Sequence, residues 1–215
     1  VFDDPSRFNL VLAAYANERT KTVQARLTAA FHRYGLPERM TMDNGSPWGA
    51  DAPHELTPLT VGWIRLGVGV SHSRPYPPQT QGKDERFHRT LEAEGLRGRQ
   101  FDDLEHCQRH FDYFRESYHL QRPQEALGML TSVKRYQPSP RPFPEVLPPI
   151  EYAPGDHVRR VQAQGEFSLQ GRTFRVCKAL RGYPIAWRPT GQEGCFGVWF
   201  CHKQVADIDL RHPIG

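Results

Sequence analysis

The chain has 215 residues, 38% of them hydrophobic, which suffices for one medium domain or two smaller ones with real cores. No run of about eighteen apolar residues occurs, which excludes a membrane-spanning helix, and no signal peptide opens the sequence. The net charge of +4 permits nucleic-acid binding without demonstrating it; residues 151–215 hold nine basic against six acidic residues, so most of the excess lies in the last third.

In chain order, Val1–Phe2 reads as the end of a strand, DDPSR as a turn and FNLVLAAYA (8–16) as a second strand. The sequence reads as a fragment that starts inside a domain. Val23, Leu27, Ala30, Phe31 and Tyr34 have helical spacing, and Gly35 with Pro37 stops that helix. ERMTMD is a short strand ending on Asp43, followed by the loop NGSPWGADAPHE, expected to be exposed and mobile. Leu59, Trp63 and Leu66 share a face of a helix over 57–67, and GVGVSHS is another short strand. RPYPPQTQG is expected to lack regular structure. Helices follow over about 82–96 and 104–119. The alternation of strands and helices argues an α/β layer.

Six prolines between 137 and 150 rule out a helix or central strand there, and an extended linker is expected. Beyond it, VRRVQA, GEFSLQ, RTFRVCK, YPIAWRP, CFGVWF and VADIDL are short β-like runs, which read as a small all-β barrel or sandwich. The expected domains are a core over 1–136, a linker over 137–150 and a β unit over 151–215 with few contacts to the core. Cys107, Cys177, Cys195 and Cys201 form no CxxC pair and read as free thiols in a reducing cytoplasm. His106 and His110 sit four apart beside Cys107, but no second pair follows at zinc spacing.

Two carboxylates stand out. Asp43 lies at the exit of a short strand in MTMDNGSPWG, and Glu85 lies near a helix start in QTQGKDERFHRTLEAE. Singly, each has a plain explanation. Asp before Asn-Gly forms turns, and Glu at a helix start complements the helix dipole. Together they are two hard oxygen ligands of the kind Mg²⁺ takes alongside water and phosphate.

The segments DNGSP and QGKDERFHRTL resemble the catalytic core of bacterial insertion-sequence transposases of the DDE type, cousins of retroviral integrases. FDDPSRF is similar to that family's second-strand turn, and YHLQRPQEALG to its signature after the last core helix. GEFSLQGRTFRVCKALRG…VWF resembles the small β domain that follows the core in one branch. The resemblance covers nearly the whole chain. His119–Leu120 and Gln124 depart from the signature, where the family prefers Asn after Tyr and His after Arg-Pro.

The resemblance implies a ribonuclease H-like mixed sheet with flanking helices, whose first, central strand is missing from this chain. Asp43 and Glu85 then take the second and third positions of an Asp-Asp-Glu set, facing one cleft and holding Mg²⁺ or Mn²⁺. The first Asp is absent; Asp3 and Asp4 belong to the turn and do not replace it, and Asp84 is solvated. A gap between the FNLVLAAYA and RMTMD strands is expected. The implied activity is metal-dependent DNA cleavage and strand transfer on duplex DNA, by a homo-oligomer in the bacterial cytoplasm near the nucleoid. As a fragment the chain is expected to be inactive; a DNA-binding remnant without catalysis is the alternative. Lys83, Arg86, His88 and Arg89 surround Glu85, and Arg74 precedes it with Tyr76 and Gln79. Two readings of Arg89 stand side by side, an i,i+4 ion pair with Glu85 or a DNA phosphate contact. Arg122 either touches DNA or ties its loop to the core. Arg159 and Arg160 either decorate a half-exposed sheet or bind the DNA backbone.

Overall fold

The computed structural model describes residues 1–17, 19–43, 45, 48, 56–72 and 78–211; for residues 78–81, 83 and 84 it describes the backbone alone. The chain divides into two compact units. One comprises Val1–Leu36 with Arg74–Phe143, the other Pro37–Ser73 with Pro144–Gly215. The architecture is α/β, with helices and small mixed sheets.

In the first unit, β1 (Phe2–Asp3) pairs antiparallel with β2 (Phe8–Asn9). The second strand is far shorter than the 8–16 expected. The reason lies in what satisfies its backbone. Beyond Asn9, Leu10 N–H still donates to Val1 O (2.8 Å) and the N-terminus to Val11 O (2.9 Å), and side chains supply other partners: Arg115 Nη1 donates to Leu10 O (3.2 Å), Gln108 Nε2 donates to Leu12 O (3.1 Å), and Ala14 N–H donates to Gln108 Oε1 (3.0 Å). An extended segment without a neighbouring strand leaves these groups bare, and a helix supplies them instead.

Helix α1 (Thr20–Tyr34) buries Val23, Leu27 and Phe31 at i, i+4 and i+8, as its spacing dictates. It ends at Gly35, whose φ of 81° suits a residue without Cβ. There the Pro-rich segment docks. Ser139 N–H donates to Tyr34 O (2.9 Å), Leu36 N–H to Arg141 O (2.7 Å) and Ser139 Oγ to Leu36 O (2.6 Å), while Phe143 stacks near Phe31. The first half of the expected linker is therefore a packed strap. A Cβ on Gly35 would lie 2.5 Å from Ser139 O. Gly35→Ala is accordingly expected to cost at least about 2 kcal/mol in thermal or denaturant unfolding.

Helix α3 (Pro78–Thr90) begins earlier than the expected residue 82; proline is tolerated in a first helical turn. It runs into a π-helical turn over Leu91–Leu96, then α4 (Leu104–Leu120), capped by the Asp103 side chain on His106 N–H. The apolar face gathers Phe87, Leu91, Phe111, Phe114 and Tyr118. Phe87 makes edge contacts with Phe2, Phe114 and Tyr118. The short hairpin β5 (Pro123–Gln124) and β6 (Leu130–Thr131) leads into α5 (Ser132–Arg135).

In the second unit, β3 (Arg39–Met42) and β4 (Gly69–His72) pair in parallel, joined by α2 (Pro58–Arg65). A reciprocal Thr57/Thr60 capping box with Pro58 starts α2, which buries Leu59, Val61, Trp63 and Ile64. The β1–β2 and β3–β4 pairs are separate two-stranded sheets. The C-terminal part holds β7 (His157–Arg160), β8 (Glu166–Leu169), β9 (Arg172–Arg175), β10 (Pro184–Pro189), β11 (Cys195–Phe200) and β12 (Lys203–Asp209). Four of them form an antiparallel sheet in the order β12-β11-β10-β7; β8 and β9 are a separate hairpin. Positive φ at both Gln170 and Gly171 makes its two-residue turn match strand twist. Phe167, Leu180, Ile185, Val198 and Phe200 are fully buried here.

The expectation of few contacts around residues 151–215 fails for the segment 37–73. Lys203 Nζ donates to Val70 O (3.0 Å), the Cys177 thiol to Leu56 O (3.4 Å), and the Arg65 guanidinium lies 5.5 Å from the Tyr183 ring centre. A two-stranded sheet with one helix cannot bury its own apolar surface, and the C-terminal β unit covers it.

Candidate active site and nucleic-acid interface

Asp43 leaves β3 exposed to solvent. Its Oδ1 accepts the Gly45 N–H at 3.0 Å, the local Asx turn that Asp-Asn-Gly favours. Its Oδ2 has no protein partner among the described residues. Two contacts anchor the loop beyond: His72 Nε2 lies 3.2 Å from Trp48 O, and Trp48 packs near Trp63 of α2. Within the strand pair, the Thr41 and Ser71 hydroxyls are hydrogen-bonded at 3.0 Å.

Glu85 is not at a helix start. It is the eighth residue of α3, beyond the first turn where the dipole acts, so that plain explanation lapses. Phe87, two residues on, is buried, which turns Glu85 outward; its carboxylate is exposed. The i,i+4 ion pair with Arg89 does not form, and Glu85 has no partner among the described residues. Arg86, His88 and Arg89 are exposed around it. The Lys83 and Asp84 side chains lie outside the described residues, as do Arg74 and Tyr76 entirely and the Gln79 side chain; so do most of the two loops expected to be mobile. Asp43 belongs to the second unit and Glu85 to the first. Among the described residues, no group of three or more His, Cys, Asp or Glu side chains gathers.

Arg122 is tied. Its Nη1 reaches both Glu94 oxygens, at 2.6 and 2.7 Å, and its guanidinium lies 6.0 Å from the Tyr118 ring centre. Glu94 stands in the π-helical turn, where Gly95 sits against α4; a Cβ there would lie 2.9 Å from Leu91 Cδ1 and 3.3 Å from Phe114 Cδ2. The π turn has a geometric purpose. On an α-helix, residues four apart drift by about 40°. The wider i→i−5 closure, seen as Arg97 N–H to Glu92 O at 2.8 Å, reverses that drift, and Phe87, Leu91 and Gly95 all stay buried. Sequence periodicity at 3.6 carries no sign of this turn, nor of Glu94 as partner to Arg122.

In the β unit, all of β7 is exposed, including Arg159 and Arg160. Arg160 donates to Gly182 O, whereas Arg159 reaches only the neighbouring Val158 O. Sequence reading missed the pair Arg188–Asp156, two bonds of 2.6 and 2.7 Å, beside Trp199. This pairing holds the Asp156 carboxyl below its usual range. A bidentate Arg–Asp pair 32 residues apart leaves no local signal.

Residues 66–131 match the family model of an integrase core domain, and residues 156–213 match the C-terminal domain of IS481 family transposases. Over those two segments the chain is similar to an integrase-type core and to the C-terminal part of insertion-sequence transposases. Among solved structures it is similar to a chain in the cryo-EM structure of the simian T-cell lymphotropic virus intasome in complex with PP2A regulatory subunit B56 gamma. The identity is 15% and the TM-score 0.40, with 92% of this chain and 64% of that chain covered. The chain thus spans less than two thirds of that relative's length. Among the described residues no helix is long and apolar enough to cross a membrane.

Proposed function

We propose that these residues serve a DDE-type transposase that cleaves and joins DNA strands with Mg²⁺ or Mn²⁺. The observation carrying this reading is the pair of exposed carboxylates without ion partners among the described residues, Asp43 and Glu85, in a chain with an integrase core match and a transposase C-terminal match. Each carboxylate is a donor of the type the metal takes. Both carboxylates are solvent-facing hard oxygen ligands, and Asp43 Oδ2 has no partner among the described residues while Oδ1 fixes its turn. Bound there, the ion would stabilise charge on a phosphodiester under in-line attack. The protein's own residues hold the DNA. Arg86 and Arg89, with Lys83 and Arg74 from the sequence around Glu85, offer charge to phosphates, His88 offers a ring N–H, and Arg122 positions the π turn through Glu94. On the same reading the core is ribonuclease H-like, and a third carboxylate comes from outside these 215 residues. On this reading the functional divisions along the chain are a core over 1–136 and a barrel-like β unit over 151–215, joined by residues 137–150, whose first half packs at the end of α1 as a strap. The working form is a homo-oligomer on duplex DNA in the cytoplasm.

The test is a metal-dependent assay for joining a DNA 3′-end to a second duplex. It is run on this chain and on one that also carries the upstream coding sequence. Joining by the longer chain and none by the shorter is the expected outcome; nicking without joining indicates a different nuclease. A second reading, a DNA-binding remnant without catalysis, draws on the lack of any three-carboxylate group among the described residues. It predicts salt-sensitive binding and no metal-dependent cutting by either chain. For the β unit, Arg159→Glu with Arg160→Glu is expected to weaken duplex binding about tenfold or more at low salt, measured by fluorescence anisotropy. Unchanged affinity would return both arginines to surface decoration.

A further inference from the structure

We propose that the turn Arg97–Gly98–Arg99, at the end of the π-helical extension of the helix that carries Arg86 and Arg89, is a docking surface for the sugar–phosphate backbone of duplex DNA. The inference rests on the reading of the chain as a DNA strand transferase and extends the bound surface beyond the carboxylate site. Its starting point is a difference among arginines of the first unit. Arg7, Arg109, Arg115 and Arg122 each have a carboxylate partner, Asp4, Glu105, Asp112 and Glu94. Arg86, Arg89, Arg97 and Arg99 are exposed without a carboxylate partner among the described residues, as are Arg19, Arg26, Arg33 and Arg135 elsewhere in the unit; the first four follow one another along α3, its π-helical extension and the turn that ends it.

The turn that carries the last two is built, not loose. Arg97 N–H closes the π turn on Glu92 O, Arg99 N–H donates to Leu96 O at 3.1 Å, and Gly98 takes the left-handed φ of 71° between them. A preset backbone removes loop ordering from the cost of binding. The nearby acid Glu94 is held by Arg122 and does not neutralise the turn. Glu92, one π turn from Arg97, is exposed and subtracts from the positive field.

Guanidinium groups match phosphate oxygens through paired N–H donors, and unneutralised arginines on a polyanion release counterions. Nothing in the arrangement reads bases, so its contribution is to affinity and register rather than to sequence choice. An acidic polypeptide would meet the same charges, and the experiment separates the two.

The experiment measures binding of the full chain to a short fluorescent duplex between about 50 and about 200 mM salt. Arg97→Ala with Arg99→Ala is expected to make the log–log salt slope shallower by about 2, one phosphate contact for each residue, with the same thermal midpoint as the parent. Glu92→Gln is expected to tighten binding. Arg109→Ala, which removes an arginine already paired with Glu105, is expected to leave the slope unchanged. A wild-type slope in the double variant, with salt-sensitive binding intact, overturns this surface and leaves the strand-transferase reading standing. No salt-sensitive binding by the wild-type chain sinks both. Displacement of the duplex by polyglutamate, charge for charge as effective as unlabelled DNA, reassigns the surface to an acidic polypeptide.

Discussion

Asp43→Asn and Glu85→Gln are each expected to lower metal-dependent strand cleavage and joining by about 10³-fold or more in an active assembly, without lowering the thermal midpoint. Each exchange keeps the side chain's shape and removes a charge. Asn at position 43 can still accept the Gly45 N–H, so the turn survives while the anionic ligand is lost. Gln at position 85 sits exposed on α3, where the buried neighbour Phe87 already fixes the helix. A neutral amide is a poor ligand for a hard divalent ion, and an ion that is lost or misplaced withdraws several kcal/mol of charge stabilisation from the transition state. A loss of 10³ corresponds to about 4 kcal/mol. Glu116→Gln, exposed on α4 with no place in the metal set or the proposed DNA surface, is the matched control for cleavage. Cleavage that survives Asp43→Asn would falsify the metal assignment and would send the search to another acidic residue.

What the sequence made legible follows from the range of each interaction. Asp43 and its turn are encoded within three residues, so the strand exit and the Asx turn were readable. The row Val23, Leu27, Phe31 and the stop at Gly35 were readable for the same reason. The strand expected over 8–16 was not, because apolar alternation signals an extended chain but not its hydrogen-bond partner, which turned out to be Gln108 and Arg115 about a hundred residues away. The π turn was illegible because it departs from the very period used to find helices. The prolines of 137–150 predicted an extended segment; its docking depends on Gly35, which reads only as a helix stop. Glu85 was placed at a helix start because the Gln/Gly/Pro-rich stretch before it looks like a loop. Proline opens the helix instead, and the carboxylate sits in mid-helix.

Acidification is expected to destabilise the first unit before the second, with His119 as the cause. The ring is buried, its Nε2 accepts the Asn9 N–H at 2.9 Å, and Phe8 stacks on it at 3.8 Å between ring centres. An acceptor Nε2 requires the neutral ring with its proton on Nδ1. Protonation would remove the acceptor and bury a charge. Burial first, and the nearby Arg115 second, lower the His119 pKa from 6.5 to about 4. The unfolded chain therefore binds the proton first. Stability is flat above about pH 6.5, falls as the pH drops towards 4, and has lost roughly 3 kcal/mol below that. The carboxyl of Asp156 in the second unit titrates below its usual range, so its contribution is lost only at lower pH. The four tryptophans, Trp48, Trp63, Trp187 and Trp199, all belong to the second unit, so their fluorescence reports that unit while amide exchange at Asn9 reports the first. His119→Gln keeps an acceptor and removes the titration; it is expected to flatten the stability profile between pH 6.5 and 4. His119→Leu leaves the Asn9 N–H unpaired and is expected to cost about 1–3 kcal/mol at neutral pH, with no acid response in that window. An unaltered acid profile in His119→Gln would show that another group drives the loss.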